Sequence, residues 1–115
     1  EFGTLPDPAT AHAIRSTRNA GRLLAACAER VHVRVHGACV GAGMELPAFA
    51  GRVSAARDSS FLLPEIALGL VPGAGGTVSL PRRIGRQRTA WLALSATVLD
   101  AETALEWGLV DEIRD

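Results

Sequence analysis

Hydrophobic and polar residues alternate strictly over residues 31–36, where Val31, Val33 and Val35 share one side of the chain. A period of two residues, with β-branched side chains on one face, predicts a β-strand. The preceding residues 8–29 are helix-compatible and carry an approximate apolar stripe, so we expect one helix with one buried face. The stripe consists of Ala13, Ala20, Leu23, Leu24, Cys27 and Val31.

Capping residues and glycines divide the rest of the chain into shorter elements. Asp7 before Pro8 predicts the start of the first helix, and Asp100 is expected to cap the last one. Glycine-rich turns are predicted over residues 37–43 and 72–77. Strands and helices alternate and no segment repeats, so the sequence predicts one α/β domain. The remaining elements are a helix over 44–49, strands over 52–56 and 60–63, a helical turn over 64–69, helices over 78–84, 86–95 and 101–107, and extended segments over 97–99 and 109–113.

Charge and composition exclude several classes of protein. The chain has 12 basic and 12 acidic residues, so its net charge is zero, and 48% of its residues are hydrophobic. We therefore expect a packed core, and neither nucleic acid nor a membrane among its partners. The two cysteines lie outside any CxxC motif, which favours a cytoplasmic location. The sequence begins at Glu1 without Met or a signal-peptide leader, and we expect it to be a segment of a longer protein.

The first glycine cluster follows a strand and resembles a dinucleotide-binding turn. Its glycines are Gly37, Gly41 and Gly43, but the next acidic residue after Glu45, Asp58, lies only 15 positions beyond Gly43. A ribose-binding acid is expected at about 20 positions. The short-chain dehydrogenases that share this turn also need a Tyr and a Lys, and the chain contains neither. NAD binding is therefore a disfavoured alternative. The second cluster lacks the Lys of a phosphate-binding P-loop and predicts a tight turn.

The remaining polar clusters favour ordinary surface roles. His32 and His36 share a strand face with Arg34, and a metal site there would need Cys39 as a third ligand. We expect instead a solvated or hydrogen-bonded face, and no metal. A group of arginines predicts a solvated helix surface, and two tryptophans are expected to serve packing. These residues are Arg82, Arg83, Arg86, Arg88, Trp91 and Trp107.

Two glutamates lie next to the glycine clusters. Glu45 follows the first cluster in the opening turn of a predicted helix, and Glu65 precedes the second cluster. Unpaired N–H groups near residues 41–44 can stabilise a developing oxyanion. A pair of carboxylates beside such donors could move a proton next to a carbonyl. Taken singly, each Glu is more typical of a solvated surface position.

Four segments together resemble the crotonase superfamily, which includes the enoyl-CoA hydratases and isomerases. They occur in the same order and with compatible gaps, and the resemblance extends from about residue 7 to residue 113. The segments are VHGACVGAGMEL at residues 35–46, FLLPE at 61–65, GLVPGAGGT at 69–77 and ALEWGLV at 104–110.

This resemblance implies a crotonase-like fold, a spiral of ββα units, which we expect to be truncated at both ends. Residues 1–115 would then form the central, catalytic part of a single domain. The implied substrate is an acyl-CoA thioester, with coenzyme A entering as part of the substrate and with no separate cofactor. The intact protein is expected to be a homotrimer or a dimer of trimers.

The resemblance also assigns roles to individual residues. The Ala42 N–H would be one donor to the thioester oxygen, and the Gly73 N–H would position water or hydroxyl. Glu45 and Glu65 would orient and activate water, and Glu65 would deliver the proton to the α-carbon. Further substrate contacts are expected at Gly41, Gly43 and Pro72.

The implied reaction is reversible hydration of an α,β-unsaturated acyl-CoA through an enolate. Double-bond isomerisation and non-catalytic acyl-CoA binding are the alternatives. The chain departs from common hydratase sequences at Ala50 and Gly51, where a Cys-Asp pair is usual, and at Pro47. A second oxyanion donor would lie in segments that the chain lacks, so we expect the chain alone to be inactive or nearly so.

Overall fold

The computed structural model describes residues 7–17 and 19–115, and Arg18, within the first predicted helix, lies outside the described residues. The helices are α1 (Pro8–Thr17), α2 (Ala20–Ala26), α3 (Ala42–Glu45), α4 (Gly76–Ile84), α5 (Arg86–Ser95) and α6 (Ala101–Trp107). The strands are β1 (His32–Val35), β2 (Ala38–Val40), β3 (Arg52–Ala56), β4 (Ser60–Leu62), β5 (Leu99–Asp100) and β6 (Glu112–Arg114). Short 3-10 turns cover Ala28–Arg30, Pro47–Phe49 and Glu65–Leu68.

The strands form two sheets of three strands each. In the first sheet the order is β1-β3-β6 and every pairing is parallel. In the second the order is β2-β4-β5, with β2 parallel and β5 antiparallel to β4. The first four strands therefore alternate between the two sheets, and each successive pair is followed by a helical element: β1-β2-α3, then β3-β4 and a 3-10 turn. This confirms the predicted α/β class and the repeated ββα order.

The hydrophobic core joins the two sheets to the later helices. Val53 and Ala55 of β3 are buried, as is Phe61 of β4. Leu80 of α4 and Leu92 of α5 are fully buried against them in the same cluster. Within residues 7–17 and 19–115, no helix combines the length and the apolar character needed to cross a membrane.

The prediction of one continuous helix over residues 8–29 was wrong in two respects, its continuity and its buried face. The segment forms two helices, and the Asn19 side chain caps the second by accepting the Arg22 N–H. Leu23, from the expected apolar stripe, is 67% exposed, whereas Gly21 is buried. A Cβ at Gly21 would lie 2.6 Å from the Phe49 ring. Helix α2 therefore packs through its backbone at a glycine, which an apolar stripe does not indicate.

The glycine-rich turn predicted over residues 37–43 contains strand β2. Gly37 and Gly41 have positive φ angles of 60° and 55°, and they turn the chain at either end of the strand. Ala38–Val40 pairs in parallel with β4. The prediction was wrong because three residues between glycines carry little periodic signal, and the pairing partner is distant in sequence.

The helix starts predicted at Asp7 and Asp100 are confirmed, and the last strand is shifted. Asp7 accepts the N–H groups of Ala9 and Thr10, while Asp100 accepts that of Thr103. The final strand begins at Glu112 rather than residue 109. The N–H groups of Leu109 and Val110 instead donate to the Ala104 carbonyl at the end of α6, so they are unavailable to a sheet.

The expectation of a solvated arginine group is wrong for Arg83. Its side chain is 11% exposed and pairs with Asp111 at 3.3 Å. It also donates to the carbonyl oxygens of Ala48, Ala50 and Leu109. Arg88 lies over the Trp107 ring at 4.9 Å, and that ring packs edge-on against Trp91. The expected packing role of the tryptophans is confirmed for this pair.

Gly51 and Pro47, two of the positions where the chain departs from the sequences it resembles, have local structural roles. A Cβ at Gly51 would lie 2.4 Å from the Ala28 carbonyl oxygen, which also accepts the Gly51 N–H at 2.9 Å. Pro47 is the first residue of a 3-10 turn, where a missing N–H costs little. It also accounts for the interruption of the helix predicted over residues 44–49, which begins at Ala42 and ends at Glu45.

We predict that Gly51→Ala destabilises the chain by about 1–3 kcal/mol, because main-chain atoms must move to admit the methyl group. The matched control is Gly43→Ala, whose Cβ would meet no atom within 4 Å. Thermal unfolding followed by circular dichroism measures both variants. Equal melting temperatures for the two variants would contradict the close contact between Gly51 and Ala28.

A second prediction concerns acid stability. Hydrogen bonds from the Thr103 N–H and hydroxyl lower the pKa of Asp100 below its usual 3.8. The ionised cap therefore stabilises the fold above pH about 4, and this contribution is lost as the pH falls through the folded-state pKa. Asp100→Asn should show a weaker loss of melting temperature between pH 5 and pH 2 than the unsubstituted chain. Glu106→Gln, at an exposed position on the same helix, is the control. If Asp100→Asn lost as much melting temperature on acidification as the unsubstituted chain, the Asp100 cap would be excluded as a source of the acid sensitivity.

Candidate active site

The Glu45 carboxylate is buried and held by main-chain donors. Glu45 is 1% exposed, and its Oε1 accepts the Gly76 N–H at 2.9 Å and the Ala74 N–H at 3.2 Å. Charge-assisted bonds of this kind offset the loss of hydration of a buried carboxylate. The expectation of a solvated surface position is therefore wrong for Glu45.

The second glycine cluster serves this carboxylate. A Cβ at Gly76 would lie 2.6 Å from both Cγ and Oε1 of Glu45, and one at Gly75 would lie 2.8 Å from the Phe49 ring. Gly75 also has a positive φ of 99°. These glycines allow the loop backbone to approach two side chains closely.

Glu65 opens the 3-10 turn that follows β4 and is half-buried. A Cβ at Gly41 would lie 3.0 Å from its Oε1, so this carboxylate lies beside the start of α3. Its Oε2 atom is buried and accepts no hydrogen bond from the described part of the chain. A buried acceptor without a donor carries an unfavourable desolvation cost, which a bound donor would remove.

Strand pairing places the two acids near the same short helix. Strands β2 and β4 are parallel neighbours, so the residues that follow them, Gly41 and Glu65, meet at one edge of the sheet. Helix α3 begins directly after Gly41 and ends at Glu45. Glu65 therefore lies near the start of this helix, and Glu45 faces the loop at its other side.

The other predicted site residues lie at the start of α3 and on the loop before α4. Ala42 and Gly43 are exposed at its start, Gly73 is exposed on the loop, and Pro72 is half-buried. The N–H groups of Ala42 and Gly73 make no hydrogen bond to another described residue. They are therefore available to a ligand, and the roles of all these residues stay predictions.

Two residues that sequence reasoning missed contact the Glu45 segment. The buried Ser79 hydroxyl donates to the Glu45 carbonyl oxygen at 2.8 Å, and Arg83 binds the carbonyls of Ala48 and Ala50. Their spacing from Gly76, three and seven positions, is that of one helix face. That spacing was the available signal, but it does not indicate which segment the face contacts.

The other polar clusters considered from the sequence have ordinary structural roles in the described part of the chain. Among the described residues, no group of three His, Cys, Asp or Glu side chains could hold a metal ion. His32 Nε2 lies 3.1 Å from Ser54 Oγ, which confirms a hydrogen-bonded face. Burial, and then the charge of Asp58, raise the pKa of Cys39, so its thiol stays protonated and unreactive at neutral pH.

Comparisons with known proteins agree with this arrangement. A family model described as enoyl-CoA hydratase/isomerase matches residues 10–114. The crystal structure of an enoyl-CoA hydratase from Thermoplasma volcanium superposes with a TM-score of 0.84 at 36% identity, over 96% of this chain. A putative enoyl-CoA hydratase/isomerase from Mycobacterium abscessus gives 0.81 at 35% identity, over 95% of this chain.

The chain spans less than half the length of these relatives. It covers 45% of the Thermoplasma volcanium protein and 43% of the Mycobacterium abscessus protein. An enoyl-CoA hydratase/isomerase family protein from Silicibacter pomeroyi, 26% identical, matches 99% of this chain and 49% of its own, with a TM-score of 0.83. The matched part includes both ββα units and the loop that holds Glu45. With its crotonase-like fold, this chain belongs to the enoyl-CoA hydratase/isomerase family.

Proposed function

We propose that this chain carries the acid–base half of a site for reversible hydration of α,β-unsaturated acyl-CoA thioesters. The observation that carries the proposal is the Glu65 carboxylate, whose buried Oε2 accepts no hydrogen bond from the described residues. Water or a protonated substrate atom would supply the missing donor. Family membership and the second, firmly held carboxylate of Glu45 support the same chemistry.

The proposed reaction divides the work between the two acids. The water oxygen bonds to the β-carbon, and the π electrons of the double bond move onto the thioester as an enolate. Glu45 and Glu65 orient and activate the water. The proton that the water loses passes to Glu65, which delivers it to the α-carbon, so both carboxylates end the reaction as they began. Each carboxylate acts within hydrogen-bonding reach of the atom it serves.

Main-chain donors stabilise the charge that develops. The Ala42 N–H donates to the thioester oxygen as the enolate forms, and the Gly73 N–H donates to the water or hydroxyl. The substrate passes over the small residues at Gly41, Gly43 and Pro72. Two of these three have no side chain beyond hydrogen, so the backbone can approach the thioester closely.

Two acids favour hydration over double-bond isomerisation. Isomerisation moves one proton between two carbons, and a single carboxylate can carry it in both directions. Hydration also requires a water molecule to be held and deprotonated, and a second, fixed carboxylate such as Glu45 suits that task. Acyl-CoA binding without turnover is the other alternative, and the experiments below separate the three.

The proposed setting is a cytoplasmic protein that acts on acyl-CoA without a separate cofactor, assembled as a homotrimer or a dimer of trimers. Exposed apolar side chains support a further interface or covering segment. Leu68 and Val71, which flank the loop after Glu65, are 68% and 79% exposed. Surfaces of this kind are typical of contacts with other polypeptide.

We predict that Glu45→Gln and Glu65→Gln each lower the hydration turnover of the intact protein by about 10²–10⁴-fold, because each removes an acid–base group. The assay follows crotonyl-CoA absorbance, and calorimetry measures affinity for a saturated acyl-CoA, which should change little. Glu29→Gln, at an exposed position, is the control. Full turnover in either site variant would exclude that residue from the chemistry. Double-bond migration without hydration in the unsubstituted protein would establish the isomerase alternative.

A further prediction concerns the 115-residue chain alone. If a second oxyanion donor lies outside it, turnover should be at least about 10²–10³-fold below that of the intact protein. The two proteins are compared at equal concentration in the crotonyl-CoA assay. Equal turnover would show that the chain alone contains all the donors. Acyl-CoA binding by the intact protein without any turnover would instead support the non-catalytic alternative.

A further inference from the structure

We propose that Ser79 and Arg83 of helix α4 are positioning residues that set the orientation of the Glu45 carboxylate. This inference deepens the proposed function and rests on it for its kinetic consequence. The contacts from which it is argued do not depend on the proposed function. Three positions of one helix contact Glu45 or the residues directly after it, and only the first of them touches the carboxylate itself.

The three contacts lie on one face of α4. Gly76, Ser79 and Arg83 are separated by three and then four residues, which is the spacing that aligns positions along one side of a helix. The Gly76 N–H donates to Glu45 Oε1. The Ser79 hydroxyl donates to the Glu45 carbonyl oxygen, so a single helix binds both ends of this residue.

Helix α3 alone does not hold the Glu45 carbonyl. In a continuing α-helix this carbonyl would accept the Phe49 N–H, but that N–H donates to Leu46 at 3.1 Å. The change follows from Pro47, which begins a 3-10 turn. Ser79 Oγ supplies the donor instead, at 2.8 Å, and both residues are fully buried. A four-residue helix has little rigidity of its own.

Arg83 fixes the chain that leaves Glu45. Its Nε donates to the Ala48 carbonyl at 3.0 Å and its Nη2 to the Ala50 carbonyl at 2.7 Å. Asp111 balances the guanidinium charge and also accepts the Val53 N–H at 2.7 Å. The planar guanidinium therefore binds the segment after Glu45 in two places and ties it to β3 and to the residues after α6.

These contacts fix Glu45 relative to the loop at residues 74–76, which presents its carboxylate donors. Loss of the Ser79 hydroxyl would free the Glu45 main chain at one point while leaving both carboxylate donors in place. A misplacement of about 1 Å at a reacting group can lower turnover by about 10²-fold. A side chain that only stabilised the fold would not change the turnover of folded molecules.

The kinetic experiment compares Ser79→Ala with Thr89→Val in the intact protein. Thr89 is a matched control, since its buried hydroxyl also donates to a main-chain carbonyl at 2.8 Å, that of Gly85 directly before α5. Both variants should lower the melting temperature. Only Ser79→Ala should lower kcat, by about tenfold or more, with KM within about twofold. A kcat within about twofold of the unsubstituted protein would overturn the proposal for Ser79.

The arginine is tested in the same way. Arg83→Lys keeps the charge but loses the planar fork that reaches two carbonyls, and it should lower kcat without a matching change in KM. Arg82→Met is the control, because the side chain of the neighbouring Arg82 makes no hydrogen bond or ion pair within the described part of the chain. An equal effect of the two substitutions would contradict the role of Arg83.

A spectroscopic measurement separates this proposal from the proposed function. The Ala74 and Gly76 N–H groups donate to Glu45 Oε1, so their amide proton shifts report the geometry of these two hydrogen bonds. Glu45→Gln should move both shifts, because an uncharged amide oxygen accepts a weaker hydrogen bond than a carboxylate. Ser79→Ala should move both shifts in the same direction, by about half of that change or more, whereas Thr89→Val should leave them in place. Unchanged shifts in Ser79→Ala would overturn the positioning role even if the protein hydrates no enoyl-CoA. Changed shifts in a protein without hydratase activity would support the positioning while refuting the reaction.

Discussion

The fold around the site depends on burying one ionised side chain against peptide N–H groups. Glu45 is nearly inaccessible, and its carboxylate is held by Ala74 and Gly76. These donors can approach only because position 76 has no Cβ. The same requirement fixes where α4 begins, and α4 in turn supplies the contacts that define the chain after Glu45. The buried carboxylate of Glu45 thus fixes the position of α3 relative to the start of α4, although the two are distant in sequence.

Local patterns predicted the elements whose signals are local. The alternation at residues 31–36 predicted β1. The caps at Asp7 and Asp100 located two helix starts, and Gly108 located the end of α6. Strand β2 was not predicted, because its identity depends on pairing with β4. The buried face of α2 was also misassigned, because Gly21 packs its backbone against Phe49. A glycine leaves no apolar signal, although its close packing is as specific as that of a leucine.

The same distinction applies to the candidate site, where local motifs indicated the acids but not their partners. Glu45 and Glu65 could be selected from the motifs around them, and the structure places each beside a glycine that accommodates it. The partners of Glu45 could not be read from the sequence, since its carboxylate donors are 29 and 31 positions away. Arg83 was assigned to solvent because it belongs to a run of arginines. Only the tertiary fold shows that its guanidinium points inward, toward carbonyls left unpaired by the 3-10 turn.

The ion pair between Arg83 and Asp111 has a consequence for how the polypeptide folds during its synthesis. Asp111 follows Arg83 by 28 positions, and it neutralises the cation that binds the backbone just beyond Glu45. Until a ribosome has released residue 111, this buried charge has no counter-ion. The surroundings of Glu45 are therefore completed only after residue 111 has been synthesised, which is later than both glutamates and their loops. A nascent chain that ends before residue 111 would lack the ion pair that completes the surroundings of Glu45.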